Sequence, residues 1–252
     1  TFVSTYAPHS MQFWNSAQSS SGYLPYTGSS AIANKYSFDF DGSNDYINIG
    51  TNKFPIGHTG ESYSVSSWFK GGTQSSNTGI FSNAENANNE FQILLLGTSS
   101  PVGAIQTHVY KSGVGQATAK TSNTYDDNKW HHVVSVLDHA DTSITLYLDG
   151  GAEIISGAWS HHTTGSSLVS SVGYRGYGNY FNGQIAETAI WSYALSSSAV
   201  AALYNGGIPT DLLSDKGSYD QSNSLSTWLR MGESASYDGT NWSIYDSSGN
   251  GV

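Results

Sequence analysis

Short runs of period-two alternation recur along most of this sequence and limit what it can fold into. Tyr36, Phe38 and Phe40 alternate with Ser37, Asp39 and Asp41, the pattern of a strand with one buried face. A turn at 42–44 follows, then Tyr46, Ile47 and Ile49. Tyr63, Val65, Ser67 and Phe69 share one face of the next run, with Trp68 on the other. Phe91, Ile93 and Leu95 alternate again, as do Ile105, Thr107 and Val109. The longest run is 130–138. The next carries Ile144, Leu146 and Leu148 and ends at Asp149-Gly150-Gly151, a hairpin-turn signal. Residues 130–138 and 143–149 therefore read as an antiparallel hairpin. A further strand spans 184–191, and two short candidates lie at 225–230 and 242–245. Only 197–205 reads as a helix. Ser196 can cap it, Val200, Leu203 and Tyr204 share a side, and Gly206-Gly207 and Pro209 stop it. Many strands with one late helix predict an all-β sandwich.

Composition removes several alternatives. The chain has 252 residues, enough for one large β domain. With 9 Lys and Arg against 19 Asp and Glu, its net charge is -10, so it lacks the clustered positive charge that grips nucleic-acid phosphates. Cysteine is absent, which excludes disulfides, thiolate metal sites and a cysteine nucleophile. No apolar run is long enough to span a membrane as a helix. Residues 1–34 show no sustained period, yet they carry Phe2, Tyr6, Phe13, Trp14, Tyr23 and Tyr26. Six large aromatics predict an arm that packs against something.

Seven segments, in this order, resemble one family. They are Phe38-Asp39-Phe40-Asp41-Gly42-Ser43-Asn44-Asp45-Tyr46-Ile47 and Tyr63-Ser64-Val65-Ser66-Ser67-Trp68-Phe69. Next is Lys129-Trp130-His131-His132-Val133-Val134, closing through Leu146-Tyr147-Leu148-Asp149-Gly150. Then come Phe181-Asn182-Gly183-Gln184-Ile185-Ala186-Glu187 and Trp191-Ser192-Tyr193-Ala194-Leu195-Ser196, followed by Leu203-Tyr204-Asn205-Gly206-Gly207. Together they resemble laminin-G-like, concanavalin-A-like jelly-roll domains. The resemblance implies a two-sheet antiparallel β-sandwich over residues 35–208, flanked by the aromatic arm at 1–34 and a C-terminal extension at 209–252. In that extension, Trp228-Leu229-Arg230-Met231-Gly232-Glu233, Tyr237-Asp238-Gly239-Thr240-Asn241-Trp242 and Asp246-Ser247-Ser248-Gly249-Asn250-Gly251 resemble a segment that follows such domains in virion structural proteins of marine tailed phages.

Candidate sites were weighed against plainer roles. Glucanases of this superfold resemble one another in a Glu-x-Asp-x-x-Glu strand, which sets an acid and a nucleophile on one face. Here the nearest acids, Glu85 and Glu90, flank Asn86, Ala87, Asn88 and Asn89, so the motif is missing. Neighbours on a strand point to opposite faces, so His131 and His132 cannot chelate one metal, and the resemblance makes the pair structural. Calcium is the metal expectation, with Asp41, Asn44, Asp45 and Glu187 as hard oxygen ligands. Two readings stay open: a shared calcium site, or a turn held by side-chain-to-backbone bonds with Glu187 bonded to a Tyr or backbone donor. The loop Gly173-Tyr174-Arg175-Gly176-Tyr177-Gly178-Asn179-Tyr180 offers tyrosine rings that stack on sugars and Arg and Asn that bond to hydroxyls. Tyr174, Arg175, Tyr177 and Asn179 are its candidate ligand-binding residues, against the alternative that Tyr180 and Phe181 merely pack into the sandwich edge.

These readings predict a non-enzymatic structural protein of a phage virion surface. It would decorate a capsid or fibre, hold host glycans, and dock to other virion proteins or to itself through the arm and extension. The alternative is a secreted, extracellular lectin or adhesin domain. Least favoured is a polysaccharide-cleaving enzyme.

Overall fold

The computed structural model describes residues 2–6, 10–13, 36–54, 56, 60–86, 89–112, 115–156, 167–231 and 235–250. Along the chain run β1 (Phe2–Tyr6), β2 (Ser10–Phe13), β3 (Tyr36–Asp41), β4 (Tyr46–Thr51), β5 (Tyr63–Gly71), β6 (Thr78–Asn86), β7 (Asn89–Leu95), β8 (Ile105–Lys111) and β9 (Gly115–Lys120). There follow β10 (Trp130–Asp138), β11 (Ser143–Leu148), β12 (Gly151–Ser156), β13 (Val169–Val172), β14 (Asn182–Trp191), helix α1 (Ser197–Tyr204), β15 (Leu225–Leu229), β16 (Ala235–Tyr237) and β17 (Trp242–Ile244). They build a nine-stranded sheet, ordered β16-β17-β1-β4-β13-β6-β7-β8-β9. An eight-stranded sheet runs β12-β11-β10-β5-β14-β3-β2, with β15 also paired to β14. Every described strand pairing is antiparallel.

The alternating runs become the inner faces. Phe91, Ile93 and Leu95 from β7 meet Val65 and Phe69 from β5, with Val133, Leu137, Ile144, Leu146 and Leu148 from the expected hairpin, in one buried cluster. That hairpin pairs Val133 with Leu148 and Leu137 with Ile144. Its far end continues through Asp149 and Gly150, both at positive φ, into β12, as the Asp-Gly signal requires.

A second apolar cluster lies on the outer face of the eight-stranded sheet. Val134, Val136, Ala189 and Trp191 are covered there by Ala199, Val200 and Leu203 of the helix and by Leu212, Tyr219 and Trp228 beyond it. Ser196 accepts from the amide of Ala199 at 3.2 Å, and Asn205 closes the helix in the left-handed region. Each fully buried side chain of this size contributes about 1.5–3 kcal/mol, so the helix is a lid over that face.

The arm and the extension both supply strands to the two sheets. β1 sits between β4 and β17, β2 pairs with β3, and β15 pairs with β14. Leu229, Met231 and Ile244 belong to the inter-sheet core. β15 and β17 fall on the short strand candidates at 225–230 and 242–245, whereas β1, β2 and β16 take their order from distant partners, and the local pattern gave no sign of them. Trp14, Tyr23 and Tyr26 lie outside the described residues.

Candidate functional site

The helix covers the outer face of the eight-stranded sheet, and the nine-stranded sheet carries polar side chains on its own outer face. Glu90 and Gln92 point outward from β7 between inward Phe91 and Ile93, and His108 does the same on β8, where it pairs with Gln92. Across β6 and β13, Ser82 pairs with both Gln92 and Ser171. These residues are buried although they lie outside the core. The loop after β13 lies against three of them: Ser82 and Gln92 donate to Arg175 O, and Ser171 to Tyr174 O.

That loop is a tight hairpin tip. Tyr174 and Tyr180 bridge its base, and Arg175 N donates to Asn179 O at 3.0 Å. Asn179 N donates back to Gly176 O at 3.1 Å, and the Asn179 side chain donates to the same oxygen at 3.2 Å. Gly176, Tyr177 and Gly178 all have positive φ; for tyrosine this is a costly conformation, held by the glycines around it. The loop lies flat because Gly79 lacks a side chain: a Cβ there would stand 2.6 Å from the Tyr174 carbonyl carbon and 2.7 Å from Arg175 N. Gln92 then ties the loop down. Its amide donates to Arg175 O at 2.9 Å, and its oxygen accepts from Arg175 Nε at 3.2 Å.

Two chemically different surfaces result. On one side Tyr174 stacks on Tyr180 (4.7 Å, 25°), and Tyr46 from β4 leans on both at 5.1 and 6.3 Å; all three rings are half-buried. On the other side the Gln106 amide donates to His108 Nδ1 at 3.3 Å, so His108 Nε2 carries the proton and donates to Glu90 Oε1 at 2.9 Å. Tyr177 stands between the two surfaces with 56% of its area exposed. Partial burial, and then the Glu90 charge, raise its phenol pKa against the opposing pull of Arg175.

The structure brings together Tyr174, Arg175, Tyr177 and Asn179, all in this one loop. The sequence reading missed Tyr46, Gln92, Glu90 and His108 as their neighbours. A signal was present, since Glu90 and Gln92 interrupt the apolar residues of β7 with the same period as His108 does on β8.

The four calcium candidates do not meet, which corrects that expectation. Asp41 is opposite Asn182 on β14, and Glu187 lies five residues further along, roughly 16 Å away at strand rise. Asp41 Oδ1 instead accepts from the amides of Ser43 (2.7 Å) and Asn44 (3.2 Å), and Asp45 Oδ2 from Asp41 N at 3.2 Å. Glu187 occupies a bulge at φ 50°, between Ala186 opposite Trp68 and Ala189 opposite Ser66. Strict alternation would put Ile185, Glu187, Ala189 and Trp191 on one face; the extra residue splits it, sending Ile185 into the inter-sheet core and Ala189 and Trp191 to the outer cluster. Its carboxylate accepts from Trp228 Nε1 at 2.5 Å and faces Arg230 Nε at 3.6 Å. Among the described residues no group of three His, Cys, Asp or Glu is arranged to hold a metal.

The histidine pair splits as strand geometry requires. His131 lies between Asp149 (2.8 Å) and Asp127 (3.1 Å). Burial opposes its charge, but the bonds to Asp149 and then Asp127 outweigh it and raise its pKa. His132 is fully buried beside Trp68 and Tyr204, which also contact each other, is bonded to Ser66 Oγ at 3.0 Å, and burial lowers its pKa to about 4. The second pair, His161-His162, lies outside the described residues.

The family model of the concanavalin A-like lectin/glucanases superfamily matches residues 41–201. The chain belongs to that superfamily. Its described strands outside the matched span are β1, β2, part of β3 and β15 to β17, so this concanavalin A-like sandwich is extended at both ends. Among curated proteins none matches the chain. Solved structures share the fold. Domain 4 of AbnA, an extracellular arabinanase from Geobacillus stearothermophilus, in complex with arabinotriose, is 18% identical, with TM-score 0.55, over 77% of this chain and 87% of that one. The CBM40 of Ruminococcus gnavus IT-sialidase, bound to α2,3-sialyllactose, is 11% identical, with TM-score 0.53, over 67% and 96%. A putative carbohydrate-binding protein from Bacteroides ovatus is 17% identical, with TM-score 0.58, over 84% and 56%. At these identities the likeness establishes the concanavalin A-like fold.

Proposed function

We propose that this chain is a non-enzymatic carbohydrate-binding domain whose ligand lies on the outer face of the nine-stranded sheet, against the 174–180 loop. The observation that carries the reading is the half-buried cluster of Tyr46, Tyr174 and Tyr180 beside a row of buried polar side chains. Flat rings take the apolar faces of sugars, and fixed polar groups beside them take hydroxyls, which is how a mostly apolar site orients a ligand. Solved structures of this fold with bound arabinotriose and sialyllactose support it. Hydrolysis needs two carboxylates flanking a glycosidic bond, whereas Glu90 has a histidine as its bonded neighbour. The test is a glycan array followed by calorimetry on the best binder. Tyr174→Ala should abolish binding with the fold intact, and no reducing ends should be released. Binding that survives Tyr174→Ala would refute the placement.

The finer reading puts this domain on a phage virion surface, docked to other virion proteins or to itself, with secretion as the alternative location. The resemblance of the extension, including its Asp246-Ser247-Ser248-Gly249-Asn250 turn, supports the virion. Immunogold labelling of purified particles with antibody to this chain tests it. Recovery of the chain only in particle-free culture medium would favour secretion.

A further inference from the structure

Glu90 is 8% exposed. Its Oε1 is engaged by His108, while Oε2, fully shielded from solvent, has no hydrogen-bond partner among the described residues. A buried carboxylate oxygen is normally satisfied, so this one is held ready for a donor. Its neighbours include Arg175, whose Nε bonds to Gln92 on the same face of β7, and Tyr177, whose hydroxyl feels the Glu90 charge. Arg175 spends its Nε on Gln92, and its two terminal nitrogens make no hydrogen bond among the described residues. Tyr177 is flanked by Gly176 and Gly178, and a Cβ on either would meet nothing within 4 Å, so open space borders the tip, and a ligand reaches the shielded Oε2 only if the side chains over it move aside.

Resting on the carbohydrate reading above, we propose that Glu90, Arg175 and Tyr177 form a subsite for a neutral sugar. Glu90 Oε2 accepts from one hydroxyl, the Arg175 terminal nitrogens donate to an adjacent one, and Tyr177 packs on the ring. One carboxylate and one guanidinium leave the subsite without net charge, and both electrostatically influence the Tyr177 hydroxyl. A hydroxyl can donate to Glu90 and accept from Arg175, so a diol uses both groups. A carboxylated or sulfated sugar would gain from Arg175 but be repelled by Glu90, in a chain of net charge -10.

The test is calorimetric titration of the full chain with neutral oligosaccharides (arabinan, galactan and glucan fragments) and anionic ones (uronate, sulfated and sialylated fragments), at low and high salt. Neutral sugars should bind with little salt dependence. Glu90→Gln and Arg175→Gln should each weaken them about ten- to hundredfold, the range for losing a hydrogen bond to a charged group. Tyr177→Ser, at the exposed tip, provides a third variant should Glu90→Gln fail to fold, and it too should weaken binding. Anionic sugars that bind more tightly, lose affinity in salt and gain it in Glu90→Gln would overturn the subsite but leave the carbohydrate reading standing. No binding by any sugar would overturn both.

Discussion

Trp228→Phe should be the most informative single change in the scaffold. Trp228 is 2% exposed, and its Nε1 donates to the carboxylate of Glu187, itself 4% exposed, at 2.5 Å. The Arg230 guanidinium lies 5.1 Å from the Trp228 ring and 3.6 Å from Glu187. Phenylalanine keeps most of the packing but removes the donor. A hydrogen bond to a buried charge contributes about 1.5–3 kcal/mol, and the smaller ring adds a cavity cost of order 1 kcal/mol. The sum, about 3 kcal/mol, corresponds to a fall in Tm of roughly 6–12 °C for a domain of this size. Calorimetric melting at neutral pH measures it. The companion is Trp228→Phe with Glu187→Gln, which removes the charge left without its donor. The double variant should be more stable than the two single costs added together predict, because contacting partners are not additive. A loss below about 1 kcal/mol in Trp228→Phe, or strict additivity in the double variant, would show that the bulge does not depend on this bond.

Three further outcomes are expected. Gly79→Ala drives a methyl group into the Tyr174–Arg175 backbone, so glycan binding should drop at least tenfold with an unchanged far-UV spectrum; unaltered binding would mean that the loop does not need its seat on β6. Deleting residues 1–13 strips β4 and β17 of β1 and should make the sandwich aggregate or melt well below the full chain in a thermal scan, whereas an unchanged Tm would show the arm to be dispensable. Finally, the two neighbouring histidines should titrate in opposite directions by NMR. His132 has a pKa lowered to about 4, so the unfolded chain takes its proton first. Its contribution of about 3 kcal/mol is present above pH 6.5 and lost as pH falls from there towards 4. His131, raised by Asp149 and Asp127, adds stability below pH 6.5 that is lost as pH rises through its folded pKa. A His132 that titrates near 6.5 would contradict its burial.

Local chemistry was legible and distant pairing was not. β10, β11 and α1 could be read directly, because period, Asp-Gly turn and serine cap are all written within a few residues. The 174–180 loop was legible as a ligand candidate from its glycines and rings. What lies beneath it was not, because β7 and β8 had to pair in a particular register before Gln92 could face His108. Glu187 was misplaced for a related reason. One extra residue in β14 reverses every later side chain, and nothing in 182–191 announces the bulge. β1, β2 and β16 were invisible as parts of the sandwich, since three to five residues carry too little period to assign a face, and β15 and β17 could be read as strands but not assigned partners.

The placement of β1 has a bearing on how the chain is made. Its pairing of Phe2 with Ile244 joins strands separated by almost the whole sequence. A ribosome adds about 5–20 residues per second, so β1 emerges some 10–50 s before its partner. It can dock on β4 early, but its other edge stays open until β17 has been made. During that interval it is a template for any other strand, including the β17 of a neighbouring nascent chain. Closure of this sheet is therefore a race between the synthesis of β17 and intermolecular pairing, and slower translation or crowded polysomes should favour exchanged dimers.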